Sequence, residues 1–104
     1  MVDLRDLLDP DRDARLDDDL ATVKGALDAL PKLEAVWERL PPAKRAEYTE
    51  RWRERMLTLE SLPGRLFRGR PTLLQQARYA RIVDQAREQQ AVMRSLGLHS
   101  PHVP

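Results

Sequence analysis

Aspartates near the N-terminus are the first candidates for a metal site. Four of them, within the stretch Asp9–Asp17, fall at oxygen-ligand positions of an EF-hand calcium loop. However, Ala14 stands where that loop needs glycine for its sharp turn, and Leu20 stands where a bidentate glutamate must close the site. We therefore interpret this stretch as a solvated helix start and predict no metal site.

The rest of the sequence gives little support for catalysis, because nothing marks a pair of its many carboxylates as sequestered. The chain has no cysteine, and neither a Gly-x-Ser-x-Gly elbow nor a phosphate-cradling Gly-x-x-x-x-Gly-Lys loop is present. His99 and His102 are separated by Pro101, which disfavours a helix that would bring both imidazoles to one metal. We interpret them as exposed residues of a flexible tail over 99–104. The sequence thus predicts a non-catalytic protein without a cofactor.

Arginines concentrated in residues 65–71 form the main binding signal. This segment reads Arg-Leu-Phe-Arg-Gly-Arg-Pro, and we predict that it is a loop between two helices. Its second half, Arg68–Pro71, resembles the core of an AT-hook, in which an extended Arg-Gly-Arg-Pro segment lies in the minor groove of A·T-rich DNA. The resemblance implies a nucleic-acid interface, for which the candidate residues are Arg65, Phe67, Arg68, Arg70, Arg78 and Arg81.

Phe67 is the aromatic residue of this predicted loop, and two roles are open to it. It is either an anchor that folds the loop back onto the protein or an exposed contact for a ligand. Large aromatic side chains are buried more often than they are exposed, so we expect the anchor.

Charge is divided unevenly along the chain. Residues 1–30 hold nine acidic and four basic side chains, whereas residues 51–104 hold ten arginines and four acidic side chains. We expect the acidic first helix to pack against the basic helices and cancel part of their charge; the alternative is that each half faces a partner. Glu47 and Arg51 have the spacing of an intrahelical ion pair.

Apolar residues recur with the period of a helix, and no useful stretch alternates with period two. The pattern predicts an all-α protein, a small antiparallel bundle of three to four helices in one domain over residues 1–98. The predicted helices cover about 11–30, 32–40, 42–62 and 72–96. Pro31 is predicted to open the second helix, with Val36 inward, and Pro63 to stop the third, with Tyr48 inward.

The last predicted helix carries signals at both ends. Thr72 and Gln75 have the spacing of an N-terminal capping box, and Gly97 is a natural C-terminal stop.

The first helix has its apolar residues on a narrow strip, a spacing typical of a coiled-coil-like seam. We expect this seam to bind a protein partner or a second copy of the chain, giving a homodimer. The seam consists of Leu16, Leu20, Val23, Leu27 and Leu30.

Two functions follow from these observations. The first is a non-catalytic interaction module that binds a protein partner, or self-associates, through apolar helix seams. The alternative is a nucleic-acid-binding protein that uses the arginines of residues 65–71 and the flanking helices. No apolar run exceeds three residues and the chain starts with acidic residues, so we expect no membrane partner and a cytoplasmic location.

Overall fold

The computed structural model describes residues 10–104, with side chains described from Ala14 onward. Over this range the chain forms α1 (Pro10–Val36), a 3₁₀ turn (Trp37–Arg39), α2 (Pro42–Arg68) and α3 (Leu73–Ser95), and it contains no strand. The prediction of an all-α bundle is confirmed. Among the described residues, no helix is both long enough and apolar enough to cross a bilayer.

The helices run up, down and up, with α1 packed against both of the others. Arg65, close to the end of α2, reaches Asp19 near the start of α1, so these two helices are antiparallel. Gln75 at the start of α3 contacts Asp17, and Gln89 contacts Leu27, so α3 is parallel to α1. The middle position of α1 explains why its apolar strip must serve two neighbours.

The predicted interface seam of α1 is the core of the molecule. Leu20, Val23, Leu27 and Leu30 are at most 1% exposed, and Leu16 packs partly buried against them. Burying such a side chain contributes about 1.5–3 kcal/mol, so offering the seam to a partner would dismantle the fold. The expectation that this seam binds another chain is therefore wrong. The facing residues are Trp52, Met56, Leu59, Leu62, Ile82, Ala86 and Met93.

The prediction that Pro31 opens a second helix is wrong, because Pro31 lies within α1. Proline has no N–H, so it leaves the carbonyl of the residue four positions earlier, Leu27, without its helical partner. The side chain of Gln89 supplies the missing bond, since its Nε2 donates to the Leu27 oxygen at 3.0 Å. The contact with α3 therefore allows α1 to continue past Pro31. In place of the separate helix predicted over 32–40, the structure has the end of α1 and the 3₁₀ turn.

Pro63 and Gly64 do not stop α2 either, because the helix continues to Arg68. The last turns have tertiary partners: Leu62 is fully buried, and the Arg65 guanidinium is paired with Asp19 at 2.5 Å. These contacts outweigh the local preference for a break.

The ends of α3 match their predicted signals. Thr72 Oγ1 accepts from the Gln75 N–H at 3.1 Å, and Gln75 Oε1 accepts from the Thr72 N–H at 2.9 Å, which completes the capping box. At the other end Gly97 has φ of 72°, and the Leu98 N–H donates to the Met93 carbonyl at 2.8 Å. This Schellman turn reverses the chain and directs Leu98 into the core.

The C-terminal residues 98–104 form a strap across α2 and α3, so the prediction of a flexible tail over 99–104 is wrong; of its two histidines, His102 is exposed as predicted and His99 is partly buried. Leu98 and Pro101 are buried. The indole N–H of Trp52 donates to the His99 carbonyl at 2.9 Å, and Gln90 Nε2 donates to the Pro101 carbonyl at 3.3 Å. Proline's lack of an N–H lets Pro101 enter the interior without an unpaired donor.

Glu60 fixes this strap to α2. Its Oε1 lies 2.8 Å from the Nε2 of His99 and accepts the backbone N–H of His102 at 3.0 Å. Partial burial acts to raise the pKa of the Glu60 carboxyl, but the hydrogen bonds from the two histidines together lower it below its ordinary value. The ionised carboxylate therefore stabilises the strap.

Candidate interaction surfaces

Two arginines of the predicted nucleic-acid site are neutralised by α1. Arg65 pairs with Asp19 at 2.5 Å, and Arg78 Nη1 lies 3.7 Å from Asp17 Oδ1. Asp17 also accepts from Gln75. The expected cancellation between the acidic first helix and the basic helices is thus seen at this end of the bundle, and it removes two cations from the candidate nucleic-acid surface.

The prediction that residues 65–71 form a loop is wrong, because α2 continues to Arg68. The Nε of Arg68 donates back to the Gly64 carbonyl at 3.2 Å. Arg70 is exposed in the short link to α3, and Arg81 is exposed on α3. Since Arg68 is helical, the segment Arg68–Pro71 lacks the fully extended backbone that the AT-hook resemblance implies.

Phe67 is 92% exposed, so the expectation that it anchors the segment is wrong. The reason is the continuation of α2, which places Phe67 one residue beyond the half-buried Leu66 and away from the core. Two more leucines are exposed in the first turn of α3, Leu73 at 84% and Leu74 at 60%. We name Phe67, Leu73 and Leu74 the corner patch, because they lie where α2 turns into α3.

A second apolar surface is a groove between the C-terminal half of α1 and the N-terminal half of α2, with a volume of about 420 Å³. Val36 and Tyr48, predicted to face inward, are each 38% exposed along it. We name it the α1–α2 groove. Its apolar lining comprises Ala26, Ala29, Leu30, Leu33, Val36, Tyr48 and Trp52.

The rim of the α1–α2 groove is positive. Lys32, Arg51 and Arg55 line it, and none of the acidic side chains that the structure describes does. None of these three cations forms an ion pair within the described residues. The predicted pair of Glu47 with Arg51 is not formed: Glu47 lies 3.3 Å from Lys44, and the Arg51 guanidinium lies 5.9 Å from the Tyr48 ring centroid.

The sequence contains a signal for this groove that the prediction missed. Ala26, Ala29, Leu33 and Val36 are spaced by three, four and three residues, which makes a second apolar stripe on α1. Placing a helix break at Pro31 divided that stripe in two. Recognising α1 as continuous would have shown a stripe wider than one partner helix can cover.

Asp28 is an acidic residue whose contacts lie at the surface, between α1 and α3. Hydrogen bonds from Lys24 and Gln85 lower the pKa of Asp28, at 2.7 and 2.8 Å respectively. No cluster of three metal-ligating side chains occurs from Ala14 onward, and the first part of the EF-hand-like stretch, Asp9–Asp13, lies outside the described side chains.

The fold and its surfaces define a small three-helix bundle with an apolar, positively rimmed groove. No protein-family model, curated protein or solved structure matches the chain.

Proposed function

We propose that the protein is a non-catalytic interaction module whose α1–α2 groove binds a helix of a protein partner. The observation that carries this proposal is the groove's apolar lining beside three cations that have no ion-pair partner among the described side chains. An amphipathic helix laid in an apolar groove is a recurring mode of peptide recognition, read through anchors at i, i+3 or i+4, and i+7. From Ala26 to Val36 the α1 side of the groove is about 15 Å long, which is enough for about three turns of a bound helix.

The rim indicates the charge of the partner. Lys32 lies on the α1 edge, and Arg51 and Arg55 lie on the α2 edge, so acidic side chains on both flanks of the bound helix would meet a cation. Such complementarity contributes mainly to the rate of association and to orientation. A contact of this length is smaller than a standard protein–protein interface, so we expect a transient complex.

A non-catalytic role is supported by the composition of the clefts. Among the side chains described from Ala14 onward, no aspartate, glutamate or histidine lines the α1–α2 groove, a smaller cleft at the start of α3 or another between α1 and α3. General acid–base chemistry needs such a group within reach of a bound substrate.

The proposal is tested by blocking the groove without disturbing the core. Ala29→Glu places an acidic side chain on the exposed floor of the groove, and Ala80→Glu makes the same change on an exposed position of α3 that does not line it. A synthetic three-turn helical peptide with leucine anchors and glutamate flanks, titrated by calorimetry, should bind the wild type and Ala80→Glu. We expect at least tenfold weaker binding to Ala29→Glu.

Exchanging the peptide's glutamates for lysines should also weaken binding, because like charges then face each other across the rim. Equal affinity of Ala29→Glu and Ala80→Glu, or equal affinity for both peptides, would refute the proposal. A solution mass of twice 12.0 kDa that falls to the monomer value in Ala29→Glu would instead identify the bound helix as part of a second copy.

Nucleic-acid binding is the second candidate, and it is favoured by the exposed Phe67 beside Arg68 and Arg70. An aromatic ring among guanidinium groups stacks on unpaired bases while the cations meet phosphates. Retention on heparin and on single-stranded DNA that falls steeply with salt, and is lost in Arg68→Ala/Arg70→Ala, would support it. Retention that survives this double substitution would exclude a role for these arginines.

A further inference from the structure

The corner patch exposes three large apolar side chains at one end of the bundle. Only residues 69–72 separate α2 from α3, so Phe67 on one helix and Leu73 and Leu74 on the other lie at the same end. Exposed large apolar side chains grouped at one end of a molecule are a common mark of an interaction site. The α1–α2 groove lies towards the opposite end, where α1 finishes and α2 begins.

The beginning of α1 lies at the same end as the corner patch. Asp17 accepts from Gln75 in the first turn of α3 at 3.1 Å, and Asp19 pairs with Arg65 in the last turns of α2. From Asp17 back to Pro10 the helix extends about 10 Å further. Pro10, the first described residue, therefore lies at the end of the bundle where α2 turns into α3.

We propose that residues 1–9 of the same chain bind the corner patch. Nine residues reach up to about 30 Å, far enough to return from the start of α1 to Phe67. The segment contains four apolar side chains that can cover the patch, namely Val2, Leu4, Leu7 and Leu8.

Charge favours the same pairing. Asp3, Asp6 and Asp9 outnumber Arg5, the one basic residue of the segment. Arg68 and Arg70 adjoin the patch, and neither forms an ion pair within the described residues. An acidic, leucine-rich segment thus meets an apolar surface flanked by two cations, and its tether raises its effective concentration above that of a free partner.

Nuclear Overhauser measurements on the full-length chain test this contact directly. Phe67 is the single phenylalanine, so its ring protons are identified without ambiguity. We expect cross-peaks from this ring to the methyl groups of Leu4, Leu7 or Leu8. We expect those cross-peaks to disappear in Leu7→Ser/Leu8→Ser. In a mixture of labelled and unlabelled chains the cross-peaks must be absent between chains; their presence there would assign the contact to a second copy and overturn the proposal.

Thermal unfolding provides an independent readout. Phe67→Ser should lower the Tm by several degrees in the wild type and by much less in the Leu7→Ser/Leu8→Ser background, because the partner is already lost. Leu57→Ser, at a leucine 45% exposed in the middle of α2, is the matched control and should shift the Tm equally in both backgrounds. Equal shifts for Phe67→Ser in both backgrounds, with no cross-peaks from the ring, would overturn the proposal.

Discussion

The hydrogen bond between Gln89 and the Leu27 carbonyl predicts that the effect of substituting Gln89 on the free energy of unfolding depends on whether residue 31 is proline. Pro31 withholds the N–H that this carbonyl would receive in an uninterrupted helix, and Gln89 Nε2 replaces it at 3.0 Å. The other end of the same amide is poorly placed, because Gln89 Oε1 is buried without a partner. Gln89 thus satisfies one buried group and leaves another unsatisfied.

Replacing Gln89 with methionine keeps the side-chain volume and removes both ends of the amide. In the wild type, Gln89→Met relieves the buried Oε1 but leaves the Leu27 carbonyl without a donor, which costs about 1–3 kcal/mol. In a Pro31→Ala background the alanine N–H reaches that carbonyl, so only the relief remains. We expect Gln89→Met to be neutral or destabilising in the wild type and stabilising in Pro31→Ala, with a coupling of about 1–3 kcal/mol.

The free energy of unfolding is measured by urea titration for the wild type, the two single variants and the double variant. Tryptophan fluorescence reports the transition, since Trp37 and Trp52 are both buried. A coupling of about 1 kcal/mol would also appear as a Tm difference of about 4–8 °C in a domain of this size. Gln85→Met on the same helix is the control: its side chain bonds Asp28 and Lys24, so it should be additive with Pro31→Ala. The same free-energy change for Gln89→Met in both backgrounds would show that Pro31 and Gln89 are independent and would refute this account.

Three further predictions concern single sites. The pKa of the Glu60 carboxyl is lowered in the folded protein, so the stability that it contributes is complete above its unfolded pKa of about 4.3. This contribution is lost as the pH falls through the lower, folded pKa. The urea midpoints of the wild type and Glu60→Gln should therefore differ at pH 6 and converge towards pH 3. Gly97→Ala meets no neighbouring atom but must adopt a left-handed backbone, so we expect a loss of about 1–2 kcal/mol in unfolding free energy, whereas Gly25→Ala within α1 should stabilise. Asp19→Asn frees the Arg65 guanidinium and should increase retention on heparin, while Asp18→Asn, which has no ion pair in the described residues, should change it less; equal increases would mean that net charge alone controls retention.

The sequence specified the core of this fold because the core depends on local periodicity. Leu20, Val23, Leu27 and Leu30 could be placed inward from spacing alone, and the capping box of Thr72 with Gln75 needs residues only three positions apart. Each of these features is decided within one helix. A pattern of this kind indicates which residues are buried but not which chain buries them, and the seam was therefore assigned to a partner.

The errors arose where a distant residue overrides a local preference. Gln89 lies 62 residues from the carbonyl that Pro31 leaves unpaired, and Glu60 lies 39 residues from the histidine that it holds in the strap. Neither contact leaves a pattern in a single sequence. The α1–α2 groove was missed for the same reason, because its stripe crosses the proline at which α1 was predicted to end.

The distribution of charge along α1 explains how a chain with a net charge of +1 acquires a positive groove. Asp17 and Asp19 lie near the start of α1 and neutralise Arg78 and Arg65 there. From Asp19 to Lys32 the helix rises about 20 Å, more than twice the screening length of about 8 Å in physiological salt. The acidic start of α1 therefore does not compensate the cations that line the groove at the other end of the bundle. Binding at the groove should accordingly weaken with added salt, while the fold itself, which depends on its buried apolar core, should persist.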